Sequence, residues 1–239
     1  MPLLDQLDIP TFLGQVEPLQ VPALTLILIL AAAIALSIPR VTWRWFGLFT
    51  TLVHELGHAF GALVTGRRVT GIHVRSDHSG STVSLGGGFS SVFSAFFGYP
   101  APALVGYGLL WTVFTGYTSA ALAVGTIVIL LTLIFIRNVV GFLVVAASAA
   151  VSVALWVWTD PQVQGYAMLV LGIALLVGAV RGLATVVSVH TSRRRALETS
   201  DAYILFRRTR VPSPVWLLGF ALLVGWCLWG ATTLVIAAV

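Results

Sequence analysis

Lysine is absent from this 239-residue chain, cysteine occurs once, and charged residues make up only 9% of it. A water-soluble domain carries about a quarter charged residues, so the composition excludes an ordinary soluble globule. The lone Cys227 lies in an apolar stretch, which excludes an intrachain disulfide and a cysteine-held metal. Any metal must be bound by nitrogen and oxygen. The net charge of +5 comes from thirteen arginines, but these stand at the ends of apolar runs, where topology signals belong, and no nucleic-acid partner is expected.

What fills the chain instead is hydrocarbon: 58% of residues are apolar and the mean hydropathy is +1.00. About 20 uncharged residues cross a bilayer core as a helix. Stretches of suitable length occur at 18–39, at 45–66 with Glu55 inside it, at 138–159, at 161–180 and at 211–239. Residues 78–136 contain no formal charge and offer two more, at 102–115 and 119–136. The reading is an all-α polytopic membrane protein of seven helices, or six if the first lies in the interface. One integral membrane domain, 1–239, is expected.

Residues 1–39 contain no arginine ahead of the first apolar run, so a cleaved signal peptide is not expected. Arg193, Arg194, Arg195, Arg207, Arg208 and Arg210 cluster in the connection 190–214, which the positive-inside rule assigns to the cytoplasm. Counting back puts Asp160 outside and Arg67, Arg68, Arg75 and Arg137 inside, with Arg40 and Arg44 the one pair against the rule. The expectation is a multi-pass plasma-membrane protein with a cytoplasmic N-terminus.

The apolar segment 45–66 is interrupted by His54, Glu55 and His58, which read His-Glu-Leu-Gly-His. Residues four apart on a helix share one face, so both imidazoles can reach a single metal ion, with Glu55 beside them. An ionisable group in hydrocarbon costs about 2.5–3.5 kcal/mol on insertion scales, and a bound dication offsets that cost. Helix-to-helix hydrogen bonding is the plainer explanation of such polar residues. Gly57 and Gly61 form a small-xxx-small pair suited to close helix packing.

This segment resembles the metal-binding helix of the site-2-protease-like intramembrane zinc metallopeptidases, whose signature is H-E-x-x-H within a membrane helix. The resemblance implies zinc bound by His54 and His58, Glu55 as general base for a metal-activated water, and a later aspartate as third ligand. The family's Leu-Asp-Gly is absent. Of the remaining acids, Asp160 falls on the far face, Asp5, Asp8 and Glu17 precede the core helices, and Asp77 sits in a turn. His58 lies about 13 Å from the cytoplasmic end marked by Arg67, so the ligand must come from that side. Glu198 and Asp201 both qualify, and Asp201 could equally cap a helix. Ser200-Asp-Ala202 resembles the late acidic motif of the family's bacterial branch, which implies Asp201, with Glu198 in reserve. Asn138, at a cytoplasmic span end, is a candidate for holding a substrate carbonyl, or a simple helix-end residue. His73, His78 and His190 are expected near the interface, away from the metal.

After the metal helix the pattern changes to short β-prone runs around Ser76–Ser81, suggesting a β-hairpin within 67–88 on the cytoplasmic side. Its edge could present a substrate in extended form, or the hairpin could be a plain connector. The function expected is a zinc-dependent endopeptidase acting on membrane-associated protein substrates in the lipid bilayer. The alternative is an inactive scaffold, or a metal-binding or sensing protein, that retains the metal helix. No oligomeric state is implied.

Overall fold

The computed structural model describes residues 14–192 and 194–238. Asp5, Asp8 and Arg193 lie outside them. The first two helices, α1 (Ala23–Ser37) and α2 (Arg40–Val64), meet at an angle of 86°. Pro39 makes the break, because it has no N–H to continue α1 and its own ψ of 143° turns the chain out of the helical region. The corner is held from a distance: Arg181 donates through Nη1 to the carbonyls of Ser37 (2.9 Å) and Ile38 (3.0 Å), and its guanidinium lies 4.0 Å from the centre of the Trp43 ring.

Helix α2 ends where Gly66 takes φ 74°, with Gly66 N–H donating to Leu63 and Arg67 N–H to Ala62. This left-handed turn redirects the chain into β1 (Arg68–Val74) and, antiparallel to it, β2 (Gly80–Leu85). Val69, Ile72 and Val74 are buried, and Val69 and Ile72 pack on Ala59 and Ala62 of α2. The hairpin expected within 67–88 is therefore present, with its turn closed by Asp77 Oδ1, which accepts from Ser79 N–H (2.9 Å) and Ser79 Oγ (2.6 Å). These bonds hold the Asp77 carboxyl below its ordinary range.

Helices α3 (Phe89–Phe96) and α4 (Ala101–Phe114) form a second bent pair, at 62°, across Gly98 and Pro100. They are followed by α5 (Thr118–Thr132), α6 (Val139–Trp158) and α7 (Pro161–Thr191). A 3-10 turn (Arg194–Thr199) leads into the short α8 (Asp201–Thr209), and α9 (Ser213–Ala237) follows. Asp160 caps α7, its carboxylate accepting from Gln162 N–H and Val163 N–H.

The protein is a membrane protein by these helices. Three of them, α6, α7 and α9, are long and apolar enough to cross, and there are up to five spans if each bent pair counts as one. The sequence reading of six or seven counted uncharged residues, whereas the chain spends some of them otherwise. Helix α5 has 15 residues, a rise of about 22 Å against a hydrocarbon core of about 30 Å. Beyond it the chain joins β1: Ile72 N–H donates to Phe135, and Arg137 N–H donates to Ile72. Helix α7 in turn runs past residue 180, because Arg181 is satisfied by the carbonyls of the α1 corner and does not end it.

Candidate metal centre

Helix α2 is the centre of the fold, with buried residues on several faces. Gly57 and Gly61 permit this, since a Cβ at Gly57 would strike the Phe97 carbonyl and Ala101, and one at Gly61 would strike Ser94. Both glycines act in packing. The close approach of α3 to α2 lets two reciprocal bonds form: Ser94 Oγ donates to the His58 carbonyl (2.7 Å), and His58 Nδ1 lies 2.8 Å from the Ser94 carbonyl. A carbonyl only accepts, so Nδ1 carries the proton and the neutral ring presents a bare lone pair at Nε2.

That lone pair points at His54 Nε2 and Asp201 Oδ2. His58 Nε2 and His54 Nε2 are 3.1 Å apart, and Asp201 Oδ2 stands 3.2 Å from the first and 3.3 Å from the second. Asp201 Oδ2 is buried and accepts no hydrogen bond. With His54 also protonated at Nδ1, all three atoms present lone pairs, and a cation between them would offset their repulsion. Their separations are close to the ~3.3 Å edge of a tetrahedron with bonds of about 2.0–2.1 Å to the metal. Two imidazoles and a carboxylate are also a donor set that suits a borderline ion. His54, His58 and Asp201 could thus hold a metal ion.

Asp201 opens α8, yet its side chain caps nothing. Ser200, the residue preceding the helix, likewise makes no side-chain cap, because its Oγ lies 2.8 Å from His190 Nε2. Glu198 stays exposed on the 3-10 turn and does not join the three.

Glu55 is buried next to the histidines but outside their cluster. Thr82 Oγ1 on β2 donates to Glu55 Oε2 (2.7 Å) and lies 3.0 Å from the Glu55 carbonyl. Two glycines make the pocket possible. A Cβ at Gly80 would strike the Glu55 carboxylate, and one at Gly98 would strike both histidine rings. The Tyr99 ring meets His54 edge-on at 4.8 Å and stacks on Phe220 at 5.3 Å. None of Thr82, Ser94, Gly98 and Tyr99 is singled out by the sequence: they lie outside the motif, and Ser94 acts through a main-chain carbonyl.

His54, Glu55, His58, Tyr99 and Asp201 line a cavity of about 1090 Å³ together with residues 79–84, which include β2 up to Ser84. Ile72 spends its N–H and C=O on Arg137 and Phe135, and Val74 spends its own on Asn138, accepting from Nδ2 (2.7 Å) and donating to Oδ1 (3.1 Å). Their partners across the ladder are Thr82 and Gly80. In an antiparallel pair both residues turn the same way, so Thr82 and Gly80 direct their N–H and C=O outward, to the open edge of β2. Asn138 is thereby fixed to the strand and is not among the residues lining the cavity, which corrects its assignment to a substrate carbonyl. His78 lines the cavity beside Trp43, and His73 and His190 do not; none of the three joins the cluster.

The His54–His58–Asp201 cluster, which could hold a metal ion, thus lies among apolar helices. Residues 27–231 match the model of the Peptidase M50B-like family, and the chain belongs to that family. No curated protein and no solved structure matches it significantly.

Proposed function

We propose that the protein is a zinc-dependent intramembrane endopeptidase that cuts membrane-associated protein substrates. The observation that carries this reading is the meeting of His54 Nε2, His58 Nε2 and Asp201 Oδ2 at 3.1–3.3 Å beside a buried glutamate. These three residues would hold the ion, and Ser94 would keep the His58 lone pair turned toward it. A zinc ion supplies Lewis acidity, polarising a carbonyl and lowering the pKa of water toward about 7. Glu55 takes the proton of the attacking water and later gives it to the departing amine. Thr82 keeps the Glu55 carboxylate aimed while it does so.

A peptide bond inside a helix is shielded by its own hydrogen bonds and must be drawn out before it is cut. The outward N–H and C=O groups of Gly80 and Thr82 are suited to receive an extended segment as an added strand, which sets the scissile bond beside Glu55. Arginines near the cavity, such as Arg67 and Arg208, support a cytoplasmic mouth in the plasma membrane, with water arriving from that side.

The test compares purified wild type with Glu55→Gln for zinc content and for cleavage of a reconstituted single-span reporter. Zinc at one equivalent in both, with cleavage only by the wild type, supports the reading. A protein that binds no transition metal, or a Glu55→Gln variant that cuts as well as wild type, overturns it.

A further inference from the structure

We infer that Arg67 and Arg208 form a carboxylate-reading subsite of the cleft, selecting substrates with an Asp or Glu two to three residues from the scissile bond. The inference deepens the peptidase reading and rests on it.

Two independent rulers set the position. On α8, Asp201, Ile204 and Arg208 all line the cavity, at spacings that form one helical stripe. Arg208 lies seven residues beyond Asp201, about 10 Å along the axis, and an extended chain covers that distance in about three residues. On the opposite wall, Thr82 stands beside Glu55, and two residues further on the Ser84 carbonyl accepts from Arg67 Nη2 (3.2 Å). Ser84 has the same alternation as Gly80 and Thr82, so Arg67 closes the open edge at the point where an added strand must leave it. Ile204, midway along the stripe, offers an apolar contact to the intervening residue.

Among the described residues, neither guanidinium at this end stands in an ion pair with a carboxylate, although Glu198 lines a smaller pocket with Arg208. Arg67 Nη2 also donates to the Gly86 carbonyl (3.1 Å), and Arg208 Nη1 donates to the Ser91 carbonyl (2.8 Å), so each guanidinium is anchored by main-chain oxygens. Among the described residues, the contacts of carboxylates with basic side chains are those of Asp201 with the two histidines. Glu198 lines the same cavity and pairs with neither arginine. Arg67 Nε is buried with no partner. Burial and the nearby Arg208 both push the Arg67 guanidinium below its ordinary pKa, as expected of two cations facing one another. A guanidinium has five donors in a planar fork that matches a carboxylate, so an acidic side chain satisfies what the protein leaves open.

The test reads binding apart from turnover, using the full-length Glu55→Gln protein in detergent. The probe is a fluorescein-labelled ten-residue peptide of threonine, valine and serine, with one aspartate walked through it and asparagine as the control. One aspartate position should bind about tenfold more tightly than its asparagine counterpart. Arg208→Gln should abolish that advantage, and Arg208→Glu should transfer it to lysine at the same position. Equal binding of aspartate and asparagine at every position, or an advantage that survives in Arg208→Gln, overturns the inference. So does a loss in Arg208→Glu that affects all peptides alike and appears only in phosphatidylglycerol vesicles, not in phosphatidylcholine, since the arginines would then be reading lipid. Aspartate-selective binding by a protein that, with Glu55 intact, cuts no substrate keeps the subsite and sinks the peptidase reading.

Discussion

Thr82 and Glu55 are 27 residues apart in sequence, yet the threonine hydroxyl stands 2.7 Å from the glutamate Oε2. The bond ties the strand edge to the metal helix. If Thr82 aims the carboxylate, Thr82→Val should lower the rate of cleavage about ten- to a hundredfold, the worth of a hydrogen bond to a charged group. Zinc content should stay at the wild-type level, and Thr82→Ser should restore most of the rate. Steady-state kinetics beside metal analysis separates this outcome from simple unfolding.

Asp201 is expected to be a ligand. Asp201→Ala should purify with a folded far-ultraviolet spectrum and much less bound zinc, as read by inductively coupled plasma mass spectrometry. A variant that retains a full equivalent would return the third position to Glu198.

Gly98 gives a steric test. Gly98→Ala puts a methyl group into both histidine rings, so zinc content and cleavage should fall together. Gly108→Ala, at a helical position where a Cβ meets nothing within 4 Å, is the matched control and should change neither.

The hairpin turn should be sensitive to acid. Ser79 holds the Asp77 carboxyl below its ordinary pKa, so the turn's stabilisation is present above the ordinary carboxylate range and is lost as pH falls through the depressed value. Hydrogen exchange at the Ser79 amide should therefore accelerate, relative to its intrinsic rate, on acidification, and Asp77→Ala should show weak protection at every pH. Protection that does not vary with pH in the wild type would rule out this role for Asp77.

How much of this was legible in advance depends on the range over which each interaction acts. His54, Glu55 and His58 belong to one helical turn, so their spacing alone sets their geometry, and the hairpin announced itself through alternation and a polar turn. Topology discarded most of the acids and left Asp201 beside Glu198, and the choice between them rested on the family resemblance of Ser200-Asp-Ala202. Asn138 was not readable: an amide at a helix end looks the same whether it faces a cleft or a strand, and only the fold brings Val74 beside it. Arg181 was read as the end of a span because a charge in hydrocarbon is costly. The cost vanishes once the carbonyls of Ser37 and Ile38 reach it from more than 140 residues upstream. The number of spans was not legible for a related reason, since composition records hydrophobicity but not where a helix stops.

The contact between Asp201 and His58 also has a history in time. The aspartate follows the histidine by 143 residues. A ribosome adding about 5–20 residues per second needs about 7–30 s to travel that distance. On the peptidase reading, the nascent chain holds only two of the three proposed ligands throughout that interval and is inert until Asp201 has been made.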